Sequence, residues 1–284
     1  MPLLSSRWIN HKFAGGWATD YGQIAYGSPD QAGNMDIPFL LDARNVVYEF
    51  DGGPRKAPGA NLLNSATLGG ASTVTGLYDY WRQGTTGSAT QRRVVHVSTL
   101  CMSDQGDGIF ANIGTGLTAG AIPQYSTFDD LLIIGSSASA DVPRSWDQTT
   151  FQNLAGSPPR FSFSVPHKNK QWAAGIYATP SRLHYSVTLD PEDWTGAGSG
   201  SIDIDPNDGD AITGIISHKN ELWVFKGPYR GSIHRITGSS ASDFARTTFV
   251  TGLGVAWIHS IFQFGDDVGF ITAYGTVHSL KATA

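Results

Sequence analysis

The segments His167-Lys168-Asn169-Lys170-Gln171-Trp172 and His218-Lys219-Asn220-Glu221-Leu222-Trp223 share a His-Lys-Asn tripeptide with tryptophan three residues beyond it, at an offset of 51 residues. Residues 128–135 and 265–271 have the same skeleton in other letters, a polar turn pair followed by a short apolar or aromatic run. Aligned on residues 130, 170, 221 and 267, the offsets are 40, 51 and 46. Self-similarity at this period, with several strands per repeat, predicts an all-β fold: a β-propeller-like array of short antiparallel sheets. A β-sandwich is the alternative reading of the same strands. Within the repeats, Asn169 and Asn220 are expected as turn residues. Trp172 and Trp223 are expected at equivalent, buried positions.

Composition agrees with strands and turns. Glycine accounts for 34 of 284 residues and charged residues for only 15%, where globular chains average about 7% and about 25%. Tight turns use glycine for positive φ, whereas long solvent-facing helices need Lys and Glu. Arg93–Val97, Leu131–Ile134 and Leu222–Phe225 are short runs rich in β-branched or aromatic residues, bounded by turn formers. A boundary is expected near residue 70, giving an amino-terminal arm and strand region at 1–70 and a repeat domain at 71–284. The start of the arm mixes glycines with Trp8, Phe13, Trp17, Tyr21, Tyr26 and Phe39, a composition suited to lying across a neighbour. The chain contains no apolar run of about 18 residues, so no membrane span is expected.

The candidate chemistry is thin. Cys101 is the single cysteine, which excludes an intrachain disulfide and reads as a small buried apolar residue. Asp203, Asp205, Asn207 and Asp208 alternate oxygen ligands like a calcium loop. The glycine of that loop stands one place late and Gly214 occupies the position of the bidentate glutamate, so a polar turn between strands is the plainer reading. Asp193-Trp194-Thr195 and Ser103-Asp104-Gln105-Gly106 are partial Asp-box turns. Glu49, Glu192 and Glu221 are the only glutamates, the histidines show no metal-ligand spacing, and no nucleophile elbow or phosphate loop is present. An enzyme and a cofactor are both unexpected.

The order of several segments resembles one family. Phe13-Ala14-Gly15-Gly16-Trp17-Ala18-Thr19-Asp20 precedes Asp42-Ala43-Arg44-Asn45-Val46-Val47-Tyr48-Glu49-Phe50-Asp51-Gly52-Gly53-Pro54-Arg55-Lys56-Ala57-Pro58-Gly59. Asp190–Trp194, Leu222–Lys226, Gly252–Val255 and Gly265–Val277 follow. This series resembles phage virion proteins of the tail-nozzle and head-completion (packaged-DNA stabilisation) type. The resemblance implies a non-enzymatic, propeller-containing structural subunit in the virion tail, assembled in the host cytoplasm. It further implies a homo-oligomer, a hexameric ring beside the portal adaptor and other tail proteins, through which double-stranded DNA passes without sequence-specific binding. A net charge of −5 fits a lumen that lets DNA slide. Arg92-Arg93 and Arg44 to Lys56 are the local basic clusters, read as solvated turns or subunit salt bridges. The last residues, Val277 to Ala284, read as a strand, which leaves open how a ring of repeats would close.

Two other classes remain. A carbohydrate-binding or carbohydrate-cleaving propeller of a host-recognition protein would gather exposed Trp and acidic residues in one pocket. A capsid decoration module would bind the head surface instead.

Overall fold

The computed structural model describes residues 46–48, 54–56, 67–70, 73–84 and 89–283. The chain divides into two compact units, 1–62 and 63–284. In the first, β1 (Val46–Tyr48) and β2 (Pro54–Lys56) form an antiparallel pair with Val46 opposite Lys56. Trp8, Phe13, Trp17 and Tyr21 lie outside the described residues.

The second unit is a series of small antiparallel sheets, each built from consecutive strands in chain order. Blade 1 comprises β3 (Val74–Arg82), β4 (Thr90–Val97), β5 (Leu100–Asp104) and β6 (Phe110–Thr115). Blade 2 is β7 (Pro123–Phe128), β8 (Leu131–Ser136), β9 (Arg144–Trp146) and β10 (Phe151–Asn153). Blade 3 is β11 (Phe163–His167), β12 (Lys170–Ala174), β13 (Arg182–Tyr185) and β14 (Gly200–Asp203). Blade 4 is β15 (Ala211–His218), β16 (Glu221–Gly227), β17 (Ser232–Thr237) and β18 (Ala245–Thr251). Blade 5 has β19 (Ile261–Phe264), β20 (Asp267–Ile271) and β21 (Val277–Ser279), followed by the single turn α1 (Leu280–Thr283). The fold is a β-propeller.

Turn chemistry sets the repeat. The first two strands of blades 2, 3 and 4 are joined by two residues, both at positive φ: Asp129 (47°) and Asp130 (63°), Lys168 (50°) and Asn169 (56°), Lys219 (48°) and Asn220 (63°). Left-handed pairs of this kind match the twist of a two-residue hairpin, and Asp and Asn tolerate them best. Blade 5 instead places Gly265 at φ 54°. The second strands open at Leu131, Lys170, Glu221 and Asp267. The blade 2 equivalent is therefore residue 131, one place beyond the 130 of the sequence alignment. The error has a simple cause: in blade 2 both acidic residues belong to the turn, whereas Asp267 of blade 5 already belongs to the strand.

Strand alternation then divides each second strand between two neighbours. In β8, Leu132 and Ile134 pack with Tyr80, Val94 and Trp146 at the blade 1–2 interface, while Ile133 joins Phe161, Ala173 and Trp194 at blade 2–3. In β12, Trp172 and Ala174 face blade 4, where they meet Leu222 and Val224. In β16, Trp223 and Phe225 face blade 5 and pack on Val268 and Phe270. Trp172 and Trp223 are each third in their strands, paired with Val165 and Ile216, and their relative exposures are 0% and 7%. They occupy equivalent places in successive interfaces. Trp172 touches Tyr185 at 4.8 Å and Phe244 at 4.9 Å between ring centroids, and its indole N–H donates to the His167 carbonyl at 3.0 Å. The Trp223 indole N–H is buried without a partner.

Both tryptophans are core residues by this geometry, so Trp223→Ala is expected to cost about 3–5 kcal/mol. Trp172→Ala is expected to cost more, because it also orphans the His167 carbonyl. Urea denaturation of both variants reads the order; negligible losses would contradict the core placement, and equal losses would contradict the contribution of the His167 bond.

Candidate functional site

The first strands stand side by side, β3 against β7, β7 against β11 and β11 against β15, with β15 against the 3-10 turn Ile258–Ser260 that precedes β19. Together they line a central cavity of about 700 Å³. Thr75, Tyr78, Gln124, Ser126 and Ser164 supply its polar wall and Ile215 and Ile258 its apolar wall; among the described lining residues there is no Lys, Arg, Asp or Glu. Several wall groups pair with one another, while the buried Tyr125 hydroxyl and Gln171 Oε1 have no partner among the described residues. Gln124 Oε1 accepts the Ser164 N–H at 3.0 Å, Ser126 and Ser164 hydroxyls lie 2.9 Å apart, and Gln171 Nε2 donates to Ser126 at 2.8 Å. Tyr78 and Thr127 hydroxyls are 3.1 Å apart. This polar network links blades 1, 2 and 3, and His259 joins the lining beside Ile258.

The His-Lys-Asn repeat is a staple between blades. His167, last in β11, places Nδ1 2.8 Å from the hydroxyl of Ser217 in β15. His218, last in β15, places Nε2 3.1 Å from the carbonyl oxygen of Asp266 in the blade 5 turn. Each histidine thus reaches one blade ahead. Burial first, then Lys168 beside it, pushes the His167 imidazole down to about 4. Burial also lowers His96, His184 and His234.

The acidic loop at 203–210 joins blade 3 to blade 4, and its centre is taken by a lysine. The Lys226 ammonium is fully buried and donates to the carbonyls of Ile204 (2.7 Å) and Asp205 (2.8 Å), the Asp208 carboxylate (2.8 Å) and the Ser181 hydroxyl (3.2 Å). Asp203 pairs with Arg182 at 2.6 Å, and Asp205 is bound by Arg246. The oxygens that suggested calcium are thereby committed to side-chain cations, and Asn207 sits in the turn at φ 66°. Among the described residues no group of three His, Cys, Asp or Glu is placed to hold a metal. Asp210 anchors the next loop by accepting the N–H groups of Tyr229 (2.8 Å), Arg230 (2.8 Å) and Gly231 (2.7 Å). Burial raises its pKa, but these donations outweigh it and hold the carboxyl below its usual range. Gly231 itself stands at φ 68° against the Gly254 backbone, where a side chain would collide.

Asp190–Trp194 is a clamp of the same kind. Asp193 accepts the N–H groups of Thr195 and Gly196, and the Trp194 indole donates to the Pro191 carbonyl at 2.9 Å. The Trp194 ring lies 5.7 Å from that of Phe161, and Ser145 donates to Glu192 at 3.3 Å, so the loop ties blade 3 to blade 2. The second partial Asp box is equally structural: buried Asp104 pairs with Arg93 at 2.9 Å. Arg92 and Arg93 lie inside β4, not in a turn as expected. The Cys101 thiol is buried and pushed up to about 12 by that burial, which removes it as a nucleophile at neutral pH.

Sequence reasoning missed the buried amines. Lys170, beside its tripeptide, donates to the carbonyls of Ser186 (3.0 Å) and Gly198 (2.6 Å) and lies 5.3 Å from the Tyr185 ring centroid. The one signal for Lys226 was a lysine ending an otherwise apolar strand a short way beyond an aspartate-rich loop.

No family model and no curated protein matches the chain. Among solved structures, the computationally designed Ika8 protein superposes with a TM-score of 0.50 at 12% identity over 87% of this chain and 74% of that one. YCF48 bound to a D1 peptide gives 0.45 at 10% identity, covering 67% of this chain and 68% of its own. YCF48 from Cyanidioschyzon merolae gives 0.44 at 14% identity, covering 66% and 65%. At such identities the likeness is one of fold.

Two outcomes follow from the site. Lys226→Met strands the Asp208 carboxylate and two carbonyls, so a loss of about 3–5 kcal/mol is expected in denaturant titration; a neutral result would contradict the role of the ammonium. The second is acid lability. His167 binds its proton less well folded, at about 4, than unfolded, at 6.5. As pH falls the unfolded chain protonates first, so stability is lost between those values and is retained above them. His167→Gln should lose roughly 2 kcal/mol less than wild type between pH 7.5 and pH 4.5. Parallel losses would contradict it.

Proposed function

We propose that this chain is a structural subunit of a phage tail, part of the nozzle or head-to-tail completion ring around the DNA exit channel. The observation that carries the reading is the chain order of the segments Phe13–Asp20, Asp42–Gly59, Asp190–Trp194, Leu222–Lys226, Gly252–Val255 and Gly265–Val277. Asp190–Trp194, Leu222–Lys226 and Gly265–Val277 fall on architectural parts: the clamp between blades 2 and 3, the strand β16 that is shared between two interfaces, and the blade 5 sheet.

Charge supports the same reading. Duplex DNA is gripped by many Lys and Arg contacts to phosphate. Here the net charge is −5, and Lys170 and Lys226 are turned inward onto loop carbonyls. A ring of such subunits, a hexamer by the resemblance, would let DNA slide while the portal adaptor and other tail proteins hold it in place. Assembly takes place in the host cytoplasm.

Labelled particles test this. Virions carrying a small tag on this chain are expected to show density at the head-proximal part of the tail, around its axis. Label scattered over the capsid surface would establish a decoration module, and label at fibre tips a receptor-binding protein; either overturns the proposal.

A further inference from the structure

Each blade is a meander whose strands alternate in direction, so the loops joining second to third strands and the connections between blades gather at one end of the propeller. Three of those loops hold a tyrosine out in solvent: Tyr177 in blade 3, Tyr229 in blade 4 and Tyr274 in blade 5, with exposures of 84%, 77% and 84%. They stand seven, eight and seven residues beyond Lys170, Glu221 and Asp267, where the second strands open, so the three rings share one position in successive blades. Their backbones are fixed. The Ile176 carbonyl accepts the Thr179 N–H at 3.1 Å, and Asp210 holds the N–H groups of Tyr229, Arg230 and Gly231. The Thr272 N–H donates to the Thr276 carbonyl at 2.9 Å and the Ala273 N–H to that of Gly254 at 3.2 Å. Among the described residues, the three tyrosine side chains make no hydrogen bond, ion pair or ring contact. Rigid loops thus present rings that the fold itself leaves unused.

We propose that this end of the propeller binds an oligosaccharide, a ligand in addition to the structural role above. The weakly positive C–H face of a sugar ring lies against the negative face of an aromatic ring, and tyrosine offers that face at low entropic cost. Hydroxyl partners stand beside Tyr177. Ala178, next in the chain, opens a cavity of about 230 Å³ whose wall includes Thr179, Ser181, Arg182, Asp203 and Asn207. Arg182 Nε and Nη2 donate to the two Asp203 oxygens at 2.6 and 2.9 Å, and both side chains stay partly exposed. The pair keeps Nη1 as a donor and a second lone pair on each carboxylate oxygen as acceptors, the set that two neighbouring sugar hydroxyls need. The exposed Asn207 amide, unpaired among the described residues, adds a donor and an acceptor. Two other polymers fit less well. Arg182, Lys226 and Arg246 are each bound to an aspartate, so a nucleic-acid backbone finds little free positive charge here beyond Arg230. A peptide anchors through side chains sunk in apolar pockets, whereas the cavity beside Tyr177 is ringed mostly by polar groups.

The test is affinity electrophoresis of the full-length chain through native gels containing dextran, mannan, xylan, galactan or alginate. At least one of these polysaccharides is expected to retard the wild type. Tyr177→Ala, Tyr229→Ala and Tyr274→Ala combined should raise the apparent dissociation constant read from that retardation about tenfold or more. Asn207→Gly, which keeps the left-handed turn at φ 66° while removing the amide, should raise it several-fold. Neither change removes a packed side chain, so circular dichroism and the urea midpoint are expected to stay at wild-type values. If the triple variant loses them, the three single variants replace it. Retardation by none of the five gels, or equal retardation of wild type and variants, overturns the saccharide site. Labelled particles decide the tail reading separately, because they report position and not ligand.

Discussion

A four-stranded meander a few residues deep cannot bury both of its faces by itself, and this single constraint organises the molecule. Each second strand is apolar on both sides, so its odd and even residues must be claimed by different neighbours. Ile133, Trp172 and Trp223 are the same position used three times, each closing the gap to the next blade. The large aromatic at blades 3 and 4, set against isoleucine at blade 2, shows that the interface volume is filled by whatever residues the facing blade leaves room for. Dense packing of this sort is where most stability resides.

Polar groups follow the packing rather than compete with it. His167 and His218 pin adjacent hairpin ends, Asp193 and Asp210 hold loops by accepting backbone N–H groups, and the ammonium groups of Lys170 and Lys226 fill the centres of two carbonyl-lined loops. Each of these side chains is engaged with backbone or with a facing blade. The same economy explains why the residues with the most reactive appearance, Cys101 and the 203–208 aspartates, are an inert buried thiol and a set of ion pairs.

Much of the fold could be read from residues. His-Lys-Asn at two sites marked left-handed hairpin turns, and the tryptophan three places later marked the interface position, because both follow from local rules of turn and alternation. Blade 1 was not legible in that way: Thr90 opens its second strand after a longer connection, so no two-residue polar pair announces it. The roles of Lys170 and Lys226 were hidden for a different reason. A lysine in a strand reads as solvent-facing, and only the loop that folds back over it supplies the carbonyls that make burial tolerable. The cavity wall was likewise beyond the sequence, since it assembles from single residues of strands far apart in the chain.

Hydrogen exchange across the full-length chain tests the central claim, that each inner blade is held by the neighbours that cover its two faces. Amides of β8, β12 and β16 are expected to exchange slowly in wild type, and Trp172→Ala is expected to speed exchange both in β12 and in the facing strand β16. Unchanged protection of β12 and β16 in that variant would contradict the account.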